Sequence, residues 1–221
     1  MKGSIIAIDG PSGAGKGTIA RAIAAALGFR HVDSGAMYRA VGWKALHVGV
    51  PLDDGEAVAR LAERSRITVS DVQVTVDEDD VTRAIRTPDI DRAASAVARL
   101  PQVRAVLVER QRALGAGGAI VMEGRDIGTV VFPDADVKIY LDASPEERAR
   151  RRASDPAHSG FPTAIADVAH ALITRDELDR TREVSPLYPA ADACVVDTTG
   201  RSVEEVVRDV LRIARQKGAG G

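Results

Sequence analysis

Gly10-Pro11-Ser12-Gly13-Ala14-Gly15-Lys16-Gly17-Thr18 is the stretch from which the rest of the chain is read. The apolar run Ile5-Ile6-Ala7-Ile8 precedes it, and Ile19, Ile23 and Leu27 follow at a spacing of four. That order is strand, glycine-rich loop, helix. Small residues let backbone N–H groups converge on phosphate oxygens, and the helix adds its positive N-terminal end. Lys16 reaches the terminal phosphates as a mobile point charge. An ordinary turn before a helix is the alternative, and the strand and helix on either side weigh against it. The loop therefore implies a nucleoside triphosphate. The general pattern places Ser or Thr directly after the lysine, where its hydroxyl ligates magnesium. Here Gly17 stands in that place and Thr18 comes one later, so the magnesium hydroxyl of switch GTPases is missing from its standard position.

Composition narrows the class. The 221 residues are 45% hydrophobic, enough for one sizeable core with room for a small insert. A net charge of −2, from 30 basic and 32 acidic residues, gives no polyanion-binding surface, so no nucleic-acid partner is expected. The single cysteine, Cys194, lies in an apolar run and is expected as a buried strand residue. It excludes an internal disulfide, in keeping with a reducing compartment. The N-terminal apolar run stops at Asp9, too soon for a secretory signal, and no segment is long enough to span a membrane. These features lead to the expectation of a cytoplasmic protein, and a monomer, since no exposed apolar stripe stands out.

Strand-like runs at 4–9, 29–33, 119–122, 136–142 and 193–198 alternate with helical segments, which implies an α/β fold with a parallel sheet covered on both faces. Ligands of such sheets bind outside the carboxyl ends of the strands. The polar residues there are Asp9-Gly10, Asp33-Ser34-Gly35, Glu123-Gly124-Arg125-Asp126 and Asp142. Residues 66–87 break the alternation. Ile67 and Val69, then Val72, Val74 and Val76, follow period two around the turn-forming Ser70-Asp71. A second turn at Asp77 to Asp80 leads into Val81 to Ile85, so a small inserted antiparallel sheet is expected. Helical patterns resume at about 89–99 and 101–115. Ser144-Pro145-Glu146-Glu147 and Ser202-Val203-Glu204-Glu205 are helix starts. Residues 154–162 are expected to form a mobile connecting loop, and Gly218 to Gly221 a frayed tail.

Phosphoryl transfer asks a protein chiefly to position anions and neutralise charge, so arginines near strand ends are the candidates. Arg39 follows the second strand in Asp33-Ser34-Gly35-Ala36-Met37-Tyr38-Arg39; Ser34 either caps the helix there, binds phosphate, or both. Arg125 and Asp126 follow the strand ending at Met122. Arg175, Asp179 and Arg182, spaced four and three, are expected on one helical face. Arg148, Arg150, Arg151 and Arg152 crowd the stretch before the connecting loop and repel one another unless an anion is present, which a lid closing on triphosphate would supply. His31, His47, His158 and His170 share no metal-ligand spacing, no nucleophile–base–orienter set is present, and Trp43 is read as packing.

Taken together, these residues resemble one family, the bacterial cytidylate kinases, within the nucleoside monophosphate kinases. The resemblance covers nearly the whole chain. It is carried by Ile8 to Thr18, Asp33 to Arg39, Ile85-Arg86-Thr87, Gly124 to Ala135, Lys138 to Ala143 and Arg180-Thr181-Arg182. Gly124-Arg125-Asp126-Ile127-Gly128-Thr129-Val130-Val131-Phe132-Pro133 is its most specific part. It implies a P-loop NTPase core of the adenylate-kinase type within a single domain, 1–221, holding a monophosphate-binding insert at about 61–100 and a lid at about 148–162. It also implies ATP as donor, on Gly10 to Thr18 and Arg151, and CMP or dCMP as acceptor. Ser34, Arg39, Arg125, Arg175 and Arg182 would surround the acceptor phosphate, Asp179 would hold the ribose, and Ser95, Arg104 and Asp126 would read the base. Lys16, Arg125, Arg175 and Arg182 would carry catalysis, with Mg2+ held through water and phosphates. Glu123 stands where related kinases often carry aspartate and is a further candidate for that water shell. The base assignment fits the chemistry: cytosine offers an N4 donor beside N3 and O2 acceptors, which suits a carboxylate with Arg and Ser donors. Other small P-loop kinases, for uridylate, shikimate or gluconate, are the enzyme alternatives; a nucleotide-sensing switch is disfavoured by Gly17.

Overall fold

The computed structural model describes residues 3–155 and 164–219. In chain order the elements are β1 (Ile5–Asp9), α1 (Lys16–Leu27), β2 (Arg30–Asp33), α2 (Ser34–Val48), α3 (Gly55–Arg64), β3 (Ile67–Val69), β4 (Val74–Val76) and β5 (Asp79–Asp80). They continue with α4 (Pro88–Val97), α5 (Pro101–Gly115), β6 (Ile120–Gly124), β7 (Val137–Asp142), α6 (Pro145–Ala153), α7 (Ile165–Thr181), β8 (Cys194–Asp197) and α8 (Val203–Gln216). The chain divides into two compact units, Met1–Val32 with Gly115–Gly221, and Asp33–Leu114. The second contains the segment read from sequence as the insert.

The first unit is built on a five-stranded sheet in the order β2-β6-β1-β7-β8. The pairings β1–β6, β1–β7 and β7–β8 are parallel. Continuous apolar runs form these strands because both sheet faces are covered. Ile6, Ile8, Val121, Ile139 and Leu141 pack with Ile19 and Ile23 of α1 and Val206 and Val210 of α8 into one core. Register sets Asp9 beside Gly124 on one side and Tyr140 on the other, so the carboxyl ends of three strands meet at the glycine-rich loop. Gly10 makes the exit from β1 possible: its φ is +148°, and a Cβ there would stand 2.0 Å from the Leu141 carbonyl oxygen.

The second unit packs α2, α4 and α5 around Met37, Val41, Val97, Val103 and Leu107. Its antiparallel sheet, in the order β3-β4-β5, has the expected β3–β4 hairpin. Val72 does not continue the alternation; it sits on the turn and is 85% exposed. Val81 still donates to the Val74 carbonyl, but Val81 to Ile85 form no strand, because the chain winds into a short 3-10 turn at Ala84–Arg86.

Other expectations need correction. Asp33, not Ser34, caps α2, its Oδ1 accepting from the Ala36 N–H at 3.1 Å. Arg182 lies past the end of α7 in extended backbone, so it does not share a helical face with Arg175 and Asp179. Cys194 is only half-buried. Gly218 and Ala219 are not frayed: Ala219 donates to the Ala214 carbonyl and is buried in the core with α8. Residues 156–162 of the expected loop and lid, with His158, and Gly220 and Gly221 lie outside the described residues. No helix among the described residues is long and apolar enough to cross a membrane.

Candidate active site

In the first unit the glycine-rich loop runs from β1 into α1, whose N-cap is Gly15 in the left-handed region, with no side chain capping the first turn. The helix's leading amides and dipole therefore face the loop, as a phosphate cradle requires. Lys16 is buried and its Nζ donates to the Pro11 carbonyl at 2.8 Å, closing the loop on itself. Burial, then the charge of Arg125, holds Lys16 well below an ordinary lysine, at about 7, against the opposing pull of Glu123, Asp176 and Asp9. Asp9 is buried beneath the loop and accepts from the Ile127 and Gly128 N–H groups at 2.8 and 2.7 Å. Burial raises it to about 6, although those two amides pull the other way. The contact anchors a five-residue π turn, Ile127–Val131, that follows Arg125-Asp126.

The residues expected to contact the acceptor in this unit do converge. Arg125 Nε donates to Asp179 Oδ2 at 2.8 Å; Arg182 reaches Asp179 Oδ1 at 3.8 Å and Asp126 Oδ1 at 3.7 Å. Burial pushes the Asp179 carboxyl up, but Arg125, Arg175 and Arg182 together hold it below the usual carboxylate range. Arg182 is kept in place by the tight turn after α7, its Nε donating to the Ser185 carbonyl.

Arg148, Arg150 and Arg151 on α6 have carboxylate partners within the protein and need no external anion to coexist. Arg150 pairs with Glu147 through two hydrogen bonds of 2.9 and 2.7 Å, Arg151 shares that carboxylate, and Arg148 is buried against Asp176. Arg151 also donates to Thr198 Oγ1 at 2.9 Å and to its carbonyl at 2.6 Å. With Gly15, Thr18, Arg150, Arg201 and Ser202 it lines a cleft of about 270 Å³ beside the glycine-rich loop. Ser12 behaves differently from its loop neighbours: its N–H donates to Asp176 Oδ1 at 2.9 Å.

Glu123 is buried at the end of β6, with Oε1 3.1 Å from His31 Nε2. A Cβ on Gly17 would stand 3.0 Å from that same oxygen, so the carboxylate lies against the loop–helix junction. Among the described residues no three His, Cys, Asp or Glu side chains are grouped to hold a metal. Hard carboxylate oxygens beside a phosphate cradle nonetheless suit a magnesium ion that keeps most of its water.

The second unit orders its own candidates. Arg39 donates through Nε to Asp91 Oδ1 at 2.9 Å and lies 3.9 Å from Asp33, which stands equally far from Arg86. Ser95 Oγ donates to the Asp91 carbonyl at 3.0 Å. Arg104 is buried over the Tyr38 ring, 5.5 Å from its centroid, and donates to the Ala98 carbonyl. Sequence reasoning missed Asp91. An aspartate in the first turn of a helix, where Asp91 stands in α4, is unremarkable by itself, and its link to Arg39 spans 52 positions.

The family model described as "Cytidylate kinase" matches residues 6–216. A cytidylate kinase of Desulfitobacterium hafniense (strain Y51) is 50% identical over 215 residues, covering 96% of this chain and 93% of that protein. One from Pelotomaculum thermopropionicum is 49% identical over 211 residues, with 93% of each covered. Among solved structures, a shikimate kinase from Bacteroides thetaiotaomicron superposes with a TM-score of 0.53 at 13% identity, covering 96% of this chain and 97% of that one. A gluconokinase from Sinorhizobium meliloti 1021 gives 0.51 at 17%, covering 98% and 94%. The structural likeness shows the P-loop kinase fold alone.

Proposed function

The chain belongs to the cytidylate kinase family, and from that premise we propose how its residues divide the transfer of the ATP γ-phosphoryl group to CMP or dCMP. The amides of Gly13 to Thr18 and Lys16 hold the donor phosphates, with Arg151 and Thr198 beside the rest of the donor. Arg125, Arg175 and Arg182 bind the acceptor phosphate and spread charge during in-line transfer, and Asp179 holds the ribose. Ser34 and Arg39 serve the same phosphate; Ser34 is suited to this because Asp33 already caps its helix. Ser95, Arg104 and Asp126 read the cytosine edge. The observation that carries this reading is the network in which Arg125 and Arg182 share Asp179 while Arg182 also reaches Asp126. The residues assigned here to phosphate, ribose and base thus contact one another, which supports the reading.

The acceptor phosphate is already ionised near neutral pH, so no strong general base is needed. Glu123 would hold magnesium through water, and the ion would supply positive charge to neutralise the donor phosphates. His31 fixes the orientation of that carboxylate. Asp126 accepts from the cytosine N4 amino group; uracil would set a carbonyl against it, acceptor to acceptor. The enzyme is expected to work as a cytoplasmic monomer without nucleic-acid or membrane partners, which sedimentation analysis would test for the oligomeric state. A coupled ADP-release assay across CMP, dCMP, UMP, AMP and GMP tests the residue assignments when run on alanine variants. Arg125→Ala and Arg182→Ala are expected to lose turnover far more than ATP binding. Equal losses in ATP binding would remove both from the acceptor set.

A further inference from the structure

Asp176 is almost fully buried, one residue after Arg175 and three before Asp179 on α7. One of its carboxylate oxygens accepts the Ser12 N–H at 2.9 Å; the other accepts from Arg148 Nη1. Arg148 in turn donates through Nη1 to the Ser12 carbonyl at 3.0 Å and through Nε to the Ala143 carbonyl at 3.1 Å. Both backbone polar groups of Ser12 are thus held by one buried ion pair. The next residue closes the contact: a Cβ on Gly13 would stand 3.0 Å from the Cβ and the carbonyl oxygen of Arg148. The ion pair grips the apex of the glycine-rich loop.

We propose that Asp176 is a positioning residue of the donor site: its carboxylate fixes the loop apex through the Ser12 N–H, and α7 thereby supports the ATP-binding loop and the acceptor residues Arg175 and Asp179 together. The inference rests on the loop being the ATP site. A backbone loop binds phosphate by the direction of its amides, so an apex free to tilt loses donor affinity before it loses anything at the acceptor. The charge of Asp176 also favours the protonated form of Lys16, which acts in the same direction.

The test is calorimetric titration of the full chain and its variants with ATP and, separately, with CMP, below the melting temperature of each. Asp176→Ala leaves the Ser12 N–H without its acceptor and is expected to weaken ATP about tenfold or more while CMP moves by less than about twofold. Asp176→Asn keeps an oxygen for the Ser12 N–H but turns its amide NH2 onto the Arg148 guanidinium, so it is expected to weaken ATP less than Asp176→Ala does while leaving CMP within about twofold. Should Asp176→Ala fail to fold, the ATP-to-CMP ratio of Asp176→Asn and Asp176→Glu decides, since the longer glutamate displaces the acceptor and must weaken ATP selectively. The proposal is overturned if folded variants with lowered Tm keep their ATP affinity, or lose ATP and CMP in equal proportion. Failure of the parent chain itself to bind ATP would sink the donor-site reading instead.

Discussion

Lys16 is the place where burial should be measurable as proton traffic. Its ammonium is held at about 7 rather than 10.5, by burial first and by the charge of Arg125 second. Bringing a polyphosphate against it supplies the opposite charge and restores an ordinary lysine, a change of roughly 5 kcal/mol at about 1.4 per pH unit. The complex then binds more protons than the free chain throughout the window between those two values. ATP binding must therefore take up protons and weaken as pH rises through that window. Uptake should be about half a proton at pH 7 and about 0.9 or more at about pH 8.5. The dissociation constant should rise about 20-fold between about pH 7.5 and 9, where ATP itself no longer titrates. Calorimetry in buffers of differing ionisation enthalpy, with ATP and without magnesium, reads the uptake directly. Lys16→Arg should abolish it, because a guanidinium stays charged across the range. Arg125→Met should shift the limb to higher pH by removing the second cause. Uptake below about 0.2 proton at about pH 8.5, with a flat dissociation constant, would refute the reasoning.

Three further outcomes are expected. Asp126→Asn turns an acceptor into a donor toward the base, so the CMP-over-UMP ratio of kcat/KM should fall by roughly 5- to 150-fold, the equivalent of one mismatched buried pair; an unchanged ratio would free Asp126 from base reading. Gly10→Ala should cost at least about 3 kcal/mol in chemical unfolding, because its Cβ meets a backbone carbonyl rather than a side chain that can move. Ala219→Asp should lower stability by about 2–3 kcal/mol by burying a carboxylate against α8, whereas a tail without tertiary contacts would show no change.

What could be read from sequence depended on how far apart the interacting residues lie. The glycine-rich loop was legible because strand, loop, lysine and helix are contiguous, and Arg125-Asp126 because a charged pair directly after an apolar run marks a strand's carboxyl end. Periodicity carried Arg182 onto the face of Arg175 and Asp179, yet α7 stops at Thr181, and the turn that binds Arg182 to Ser185 sets its direction instead. Glycine-rich composition made Ala219 look frayed, although a single alanine at the right turn of chain finishes the core. The α6 arginines show the two ranges side by side. Glu147, three and four residues before Arg150 and Arg151, was open to inspection as an internal counter-ion. The partner of Arg148 is 28 positions away and Asp176 reaches Ser12 across 164, and no local pattern encodes either. An arginine's availability to substrate is thus set by carboxylates that sequence places elsewhere. Arg148, gripped by Asp176 and the Ser12 and Ala143 carbonyls, belongs to the loop's scaffold, whereas Arg150 and Arg151 line the cleft beside the loop.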